Sequence, residues 1–257
     1  MILAIMFYDG DINNSMGLAR LLADVETRYR NDVTLILVYQ PGTIITTDVV
    51  ETVVYCNSKF NTILTRSPLG GAGWFDGSGQ LWSGSLSVSV DNKDHSSVFL
   101  IDGGDSVPLC NDWIVKLQAA HSETLKNNKR VTGFLVKLGD VPYYIHANMV
   151  LDLSFVRENT SLLKFKTLAD GGRDMLEIFH FPVLYPSLLP TSRIWSAPNS
   201  RGCTPEILRK LSDAGICWLH GYKDDNLVDK ARELLLGSSS RNQWSMAMAR
   251  DILLGHG

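Results

Sequence analysis

The stretch Val98 to Trp113, VFLIDGGDSVPLCNDW, narrows the possible folds more than any other part of the chain. Val98-Phe99-Leu100-Ile101 is a short apolar run that suits a central strand buried on both faces. Asp102 and Asp105 follow where that strand would end. Gly103 and Gly104 between them allow a sharp turn and a close approach to a ligand. Ser106-Val107-Pro108 leads out, and Asn111 or Asp112 can cap a helix starting at Trp113. In open α/β sheets ligands bind beyond the carboxyl ends of the strands. Two carboxylates placed there suit a hard divalent cation, Mg²⁺ or Mn²⁺, which in turn binds diphosphate oxygens. Taken locally, Asp-Gly-Gly-Asp is also the signature of a solvated turn that binds nothing. The strand before it and the helix after it bring the two readings level.

The 257 residues suffice for one large α/β domain or two small ones. A net charge of -3 makes no electrostatic case for binding a polyanion, although a local basic groove stays open. Cys56, Cys110, Cys203 and Cys217 show no CxxC spacing and read as reduced thiols of a cytoplasmic protein. MILAIMFYDG has no basic residue before its apolar run and reads as a strand rather than a signal peptide. No apolar run reaches the length needed to span a membrane.

Taken in order, Ile2 to Tyr8 is a first strand and Asp9 to Ser15 a polar loop, with Ser15 placed to cap a helix. Leu18, Leu21, Leu22 and Val25 then recur at helical spacing, and Val33 to Tyr39 is a second strand. This β-loop-α-β opening suggests a parallel sheet with a nucleotide near the first loop. Asp9, Asp11 and Asn13 are candidates for ribose or base contacts, or equally for helix capping. Glu51 to Tyr55 reads as a third strand. Gly70 to Gly79 is too glycine-rich for a helix and reads as a loop, either against a ligand or mobile at the surface, with Gly73 in it and Arg66 before it to meet a phosphate or base edge. Gln80 to Val90 reads as a helix under the sheet, with strand the alternative because of Ser83, Ser85, Ser87 and Ser89. Trp113 to Lys126 is an amphipathic helix. Val131 to Val136 and Tyr143 to Leu153 read as two strands around a turn. The second carries His146, expected to be a satisfied core residue, and Asn148. Asp170 to Asp174 is a turn before an apolar run, and Pro182 to Pro198 reads as irregular. Thr204-Pro205-Glu206 starts a helix that ends near Gly215. Ile216 to Leu219 is a last strand, followed by His220-Gly221-Tyr222-Lys223, a helix from Asn226 to Leu236, and a serine-rich linker with a terminal helix.

In this order the elements resemble the GT-A fold of nucleotide-sugar glycosyltransferases, a mostly parallel, Rossmann-like α/β sheet with helices on both faces. In that family the central strand ends in a DxD motif that binds Mn²⁺ or Mg²⁺ and the sugar nucleotide. VFLIDGGDSVPLCNDW looks like that strand, acidic turn and helix, but Gly104 stands where the second acid of a DxD would be. The resemblance implies a metal role for Asp105 and a ribose or metal role for Asp102. His220-Gly221-Tyr222-Lys223 is similar to the late His, Gly and Lys of glycogenin-like and lipopolysaccharide galactosyltransferase-like enzymes. That implies His220 as third metal ligand and Lys223 as diphosphate contact. Asn148 matches a family asparagine that meets donor sugar or acceptor. If the reaction inverts, the resemblance implies a carboxylate base, Asp174 first and Asp152 second. The implied layout is a domain over 1–236, with a nucleotide-binding half (1–110) and an acceptor half (111–236), then a linker and helix over 237–257.

The expected activity is metal-assisted transfer from a nucleoside-diphosphate sugar, a UDP-sugar first, to an acceptor hydroxyl. The acceptor is a glycan or a hydroxymethylated DNA base, the second needing a basic rim such as Arg157, Lys164, Lys166 and Arg173. One rival is a sugar nucleotidyltransferase, disfavoured by the acidic first loop. The other is an inactive binding module of the same fold, which the Gly104 departure keeps open.

Overall fold

A computed structural model describes residues 1–71, 74–139, 141–164 and 182–237. Gly73, Lys166, Arg173, Asp174 and the segment from residue 238 onward lie outside them. The strands are β1 (Ile2–Phe7), β2 (Arg30–Tyr39), β3 (Phe60–Arg66), β4 (Ser97–Asp102), β5 (Ser106–Pro108), β6 (Val131–Leu138), β7 (Val141–Asp152), β8 (Leu188–Pro190), β9 (Ile194–Ser200) and β10 (Trp218–Tyr222). The helices are α1 (Ile12–Val25), α2 (Thr47–Cys56), α3 (Trp74–Asp91), α4 (Trp113–Lys126), α5 (Leu153–Glu158), α6 (Pro205–Asp213) and α7 (Leu227–Leu236).

A seven-stranded sheet runs β3-β2-β1-β4-β7-β6-β8, and only β7 opposes its neighbours. β1 is apolar throughout because both its faces are covered. Leu3, Ile5 and Phe7 enter one core with α1, α2 and α4, while Ile2, Ala4 and Met6 enter the other with α3 and α5. β4 divides likewise, Phe99 and Ile101 to the first core, Val98 and Leu100 to the second. Each Val, Leu, Ile, Phe or Met side chain fully buried contributes about 1.5–3 kcal/mol, so these two strands are firmly anchored in the sheet. A small sheet, β5-β10-β9, packs beside the first core. Trp218 of β10 joins the two sheets. Its ring meets Phe99 of β4 edge-on at 5.0 Å and Trp113 of α4 at 5.0 Å.

Four segments differ from expectation. Residues 51–55 belong to α2, not to a strand. Their β-branched composition suits either state, but buried Val49, Thr52 and Cys56 lie at helical spacing and pack toward α1; the third strand is β3. The glycine-rich stretch enters α3 at Trp74 instead of remaining a loop. One of its glycines serves close packing: a Cβ on Gly77 would lie 2.8 Å from Gln40 Nε2 and 3.2 Å from the Gly71 carbonyl oxygen. The serines of α3 satisfy themselves within the helix, Ser85, Ser87 and Ser89 donating to carbonyls four residues back at 2.8, 3.1 and 2.7 Å. Ser15 lies inside α1, which starts at Ile12, and the region expected to be irregular contains β8 and β9.

Candidate functional site

β1 and β4 end side by side, Met6 opposite Asp102, and the Gly103 amide donates to the Met6 carbonyl at 3.2 Å. There the chain leaves the large sheet and enters β5, which pairs antiparallel with β10 so that Ser106 faces His220. The Gly221 amide donates to the Asp105 carbonyl at 3.0 Å. Gly221 itself sits at φ +98°, a conformation glycine adopts freely, and the ladder shifts register there. That bulge puts His220 and Lys223 on the same carboxylate. His220 Nε2 lies 2.9 Å from Asp105 Oδ1 and 3.7 Å from Asp102 Oδ2, and Lys223 Nζ pairs with Asp105 Oδ2. One donor atom from each of Asp102, Asp105 and His220 lies within 4.8 Å of the others.

Asp105 and His220 are buried, and Asp102 is partly open. Burial alone would raise the Asp105 carboxyl, but His220 and Lys223 outweigh it and hold it below the usual range. Burial alone would lower His220, yet Asp105 and then Asp102 raise it to about 9. Lys223 is raised despite burial, by Asp105 and then Asp102. Burial, then Asp102, pushes the Asp11 carboxyl up to about 8. Behind His220 stands His146 of β7, its ring centroid 3.9 Å away, kept neutral by burial and then by His220. Ser196 of β9 approaches His220 Nδ1 at 3.5 Å.

Asn148 Oδ1 accepts from the Asp102 amide and the Ser106 hydroxyl, both at 3.2 Å, and so pins the two ends of the acidic turn to β7. Its Nδ2 is buried and has no partner among the described residues. That N–H can donate only to an oxygen acceptor, such as that of a ligand or a water. Two carboxylates and an imidazole also form a donor set suited to Mn²⁺ or Mg²⁺. His220 Nε2 faces both aspartates, 2.9 Å from Asp105 Oδ1 and 3.7 Å from Asp102 Oδ2, so these residues fit a divalent metal.

The site thus brings together Asp102, Asp105, His220 and Lys223, with Asp11 and Asn148 beside them. Asp9 does not join: its carboxylate accepts from the Ile44 amide at 2.9 Å. Asn13 is exposed, and its neighbour Asn14 makes the contact instead, donating to the Gly104 carbonyl at 3.1 Å. Arg66 ends β3 at the sheet's edge, three strand spacings, or about 14 Å, from β4. Asp152 stands at the opposite end of the sheet, paired with Ser97, and caps α5 by accepting from the Ser154 and Phe155 amides at 2.8 and 3.1 Å. It occupies a structural position, away from the cluster. Asn14, Ser106 and Ser196 were not singled out from the sequence, since isolated polar residues at strand and helix ends are common. His146 was, but as a core residue rather than as the support of His220.

The turn has no spare room. A Cβ on Gly103 would lie 2.8 Å from Ser15 Cβ and 2.9 Å from Ile5 Cγ2. Gly103→Ala is expected to cost about 1–3 kcal/mol, as overpacking does, and to displace the aspartates. Urea unfolding measures it, and a wild-type midpoint would mean that the turn yields freely.

Neither a protein-family model nor a curated protein sequence matches the chain. Solved structures do match. The bifunctional glycosyltransferase WbbM aligns over 97% of this chain and 51% of its own, at 14% identity and TM-score 0.53. The chain therefore spans about half the length of that protein. Residues 1–349 of TarS from S. aureus align over 98% of this chain and 68% of that one, at 12% identity and TM-score 0.52. An active-site mutant of LgtC aligns over 96% and 98%, at 10% identity and TM-score 0.55. The mixed sheet, its mostly parallel strands and the helices on both faces are those of these proteins, and the chain has the GT-A fold of glycosyltransferases.

Proposed function

We propose that this protein transfers a sugar from a nucleoside-diphosphate sugar, with uridine as the nucleoside, to an acceptor hydroxyl. The observation that carries the reading is the convergence of Asp102, Asp105 and His220 beyond the carboxyl ends of β1 and β4, with Lys223 beside them. The GT-A fold supports it, and one LgtC structure of that fold, aligned at TM-score 0.55, is a complex with donor and acceptor sugar analogs. Asp102, Asp105 and His220 would hold Mn²⁺ or Mg²⁺, which when bound neutralises the departing diphosphate. Asp105 orients His220 Nε2 toward Asp102 and holds the Lys223 ammonium at the mouth of the site. His146 and Ser196 fix the imidazole from behind. Lys223, partly exposed, would exchange Asp105 for a phosphate oxygen. Asp174 keeps the role of base on the acceptor hydroxyl for an inverting reaction.

A free glycan hydroxyl is the acceptor we favour over a DNA base. The guanidinium of Arg157 donates to the Val90 and Asn92 carbonyls at 3.0 and 3.4 Å, behind the sheet's far end, so it is not part of a rim for phosphates.

The test is thermal unfolding with UDP, with and without Mn²⁺. A ligand at a hundred times its Kd stabilises the native state by about 2.7 kcal/mol. A rise with UDP that requires Mn²⁺ is expected. No shift with any nucleoside diphosphate would leave the inactive binding module as the better reading.

A further inference from the structure

Asp11 occupies the N-cap position of α1, where an aspartate ordinarily accepts from the first helical amides. Here it makes no such bond. Its Oδ1 turns back to accept from the Tyr8 amide at 2.8 Å. Its other oxygen faces the acidic turn: a Cβ built on Gly104 would lie 3.2 Å from Asp11 Oδ2 and 3.2 Å from Asp11 Cβ. Three residues on, Asn14 Nδ2 holds the Gly104 carbonyl, fixing the helix start against the turn. The Asp11 carboxylate thus fills the space that a side chain at position 104 would use. It forgoes a cap worth about 1 kcal/mol to stand there.

We propose that Asp11 is the third carboxylate of the cation site, supplied from α1 in place of an acid at position 104 and acting on cation-bound water. The inference rests on the cation reading above. Mg²⁺ and Mn²⁺ keep several waters when protein-bound, and carboxylates outside the ligand set hold those waters in place. Asp102, Asp105 and His220 supply the close donor group; Asp11 approaches it from the side of Gly104. The spacing Asp-Gly-Gly-Asp and the uncapped helix then have one explanation: glycine at 104 is the vacated partner of the acid at 11.

The experiment is Mn²⁺ titration followed by electron paramagnetic resonance of the free ion, with no nucleotide present. Asp11→Asn keeps the acceptor for the Tyr8 amide, and its melting temperature without metal serves as the control for folding. It is expected to weaken Mn²⁺ affinity about tenfold, the lower end for loss of an outer-shell partner. Asp11→Gly should weaken it likewise, and the swap Asp11→Gly with Gly104→Asp should return it to within about threefold of wild type. Unchanged affinity in Asp11→Asn overturns the proposal. A swap no better than Asp11→Gly alone overturns the exchange of one position for the other. A wild-type protein that takes up no Mn²⁺ at all overturns this inference together with the proposed function, whereas failure of the variants alone leaves that function standing.

Discussion

Asp105→Asn is expected to reduce sugar transfer by about a hundredfold or more, because metal assistance is worth several kcal/mol and each 1.36 kcal/mol is a factor of ten. The substitution keeps shape and removes charge. Asp105 is the only residue of the cluster that touches both cationic groups, His220 Nε2 at 2.9 Å and Lys223 Nζ. Without metal, the variant removes the carboxylate that both cations share and leaves Asp102, 3.7 Å from His220 Nε2, as the remaining acid of the cluster. Removing one partner of a buried pair costs about 3–5 kcal/mol. The loss here belongs at the lower end, since the partly exposed Lys223 can turn to water and His220 can release its proton. Turnover against Mn²⁺ concentration, with circular dichroism to confirm folding, checks it. Undiminished turnover in a folded variant would remove Asp105 from the metal site.

Trp218→Ala is expected to cost about 3–5 kcal/mol, the range for deleting a buried aromatic side chain. Trp218 is fully buried and packs against both Phe99 and Trp113, so it holds β10 against β4 and α4. The loss is not confined to stability. His220 lies two residues along the same strand and depends on β10 for its place opposite Ser106. The Mn²⁺-dependent response to UDP should therefore weaken even at temperatures where the variant remains folded. A urea-unfolding midpoint near that of the wild type would show that the small sheet is held by other contacts.

The central strands were legible because their patterns had one meaning. β1 and β4 are continuous apolar runs followed by aspartate and glycine, and too short for a typical helix. The late His-Gly-Tyr-Lys stretch was legible only through its resemblance, and the structure places both His220 and Lys223 on Asp105. The α2 segment was misread because Val, Thr and Tyr favour strands, while the decisive fact, burial against α1, is tertiary. The start of α3 was hidden for a related reason. Glycine weakens a helix locally, but Gly77 in its first turn permits a close approach to Gln40, which lies elsewhere in the sequence. The capping role of Asp152, the second candidate base, gave no signal because the helix it caps is short and weakly patterned. Asn14 and Ser196 gave no signal, since their roles come from neighbours far along the chain.

The acidic turn is also the joint between two sheets of unequal protection. β1 and β4 are hydrogen-bonded on both edges and covered on both faces, so their amides should be among the last to exchange with deuterated solvent. β10 has only a three-residue strand on one side and β9 on the other. Local opening of that small sheet would carry His220 and Lys223 away while Asp102 stays at the end of an intact strand. Such an opening would take the cluster apart without unfolding the large sheet.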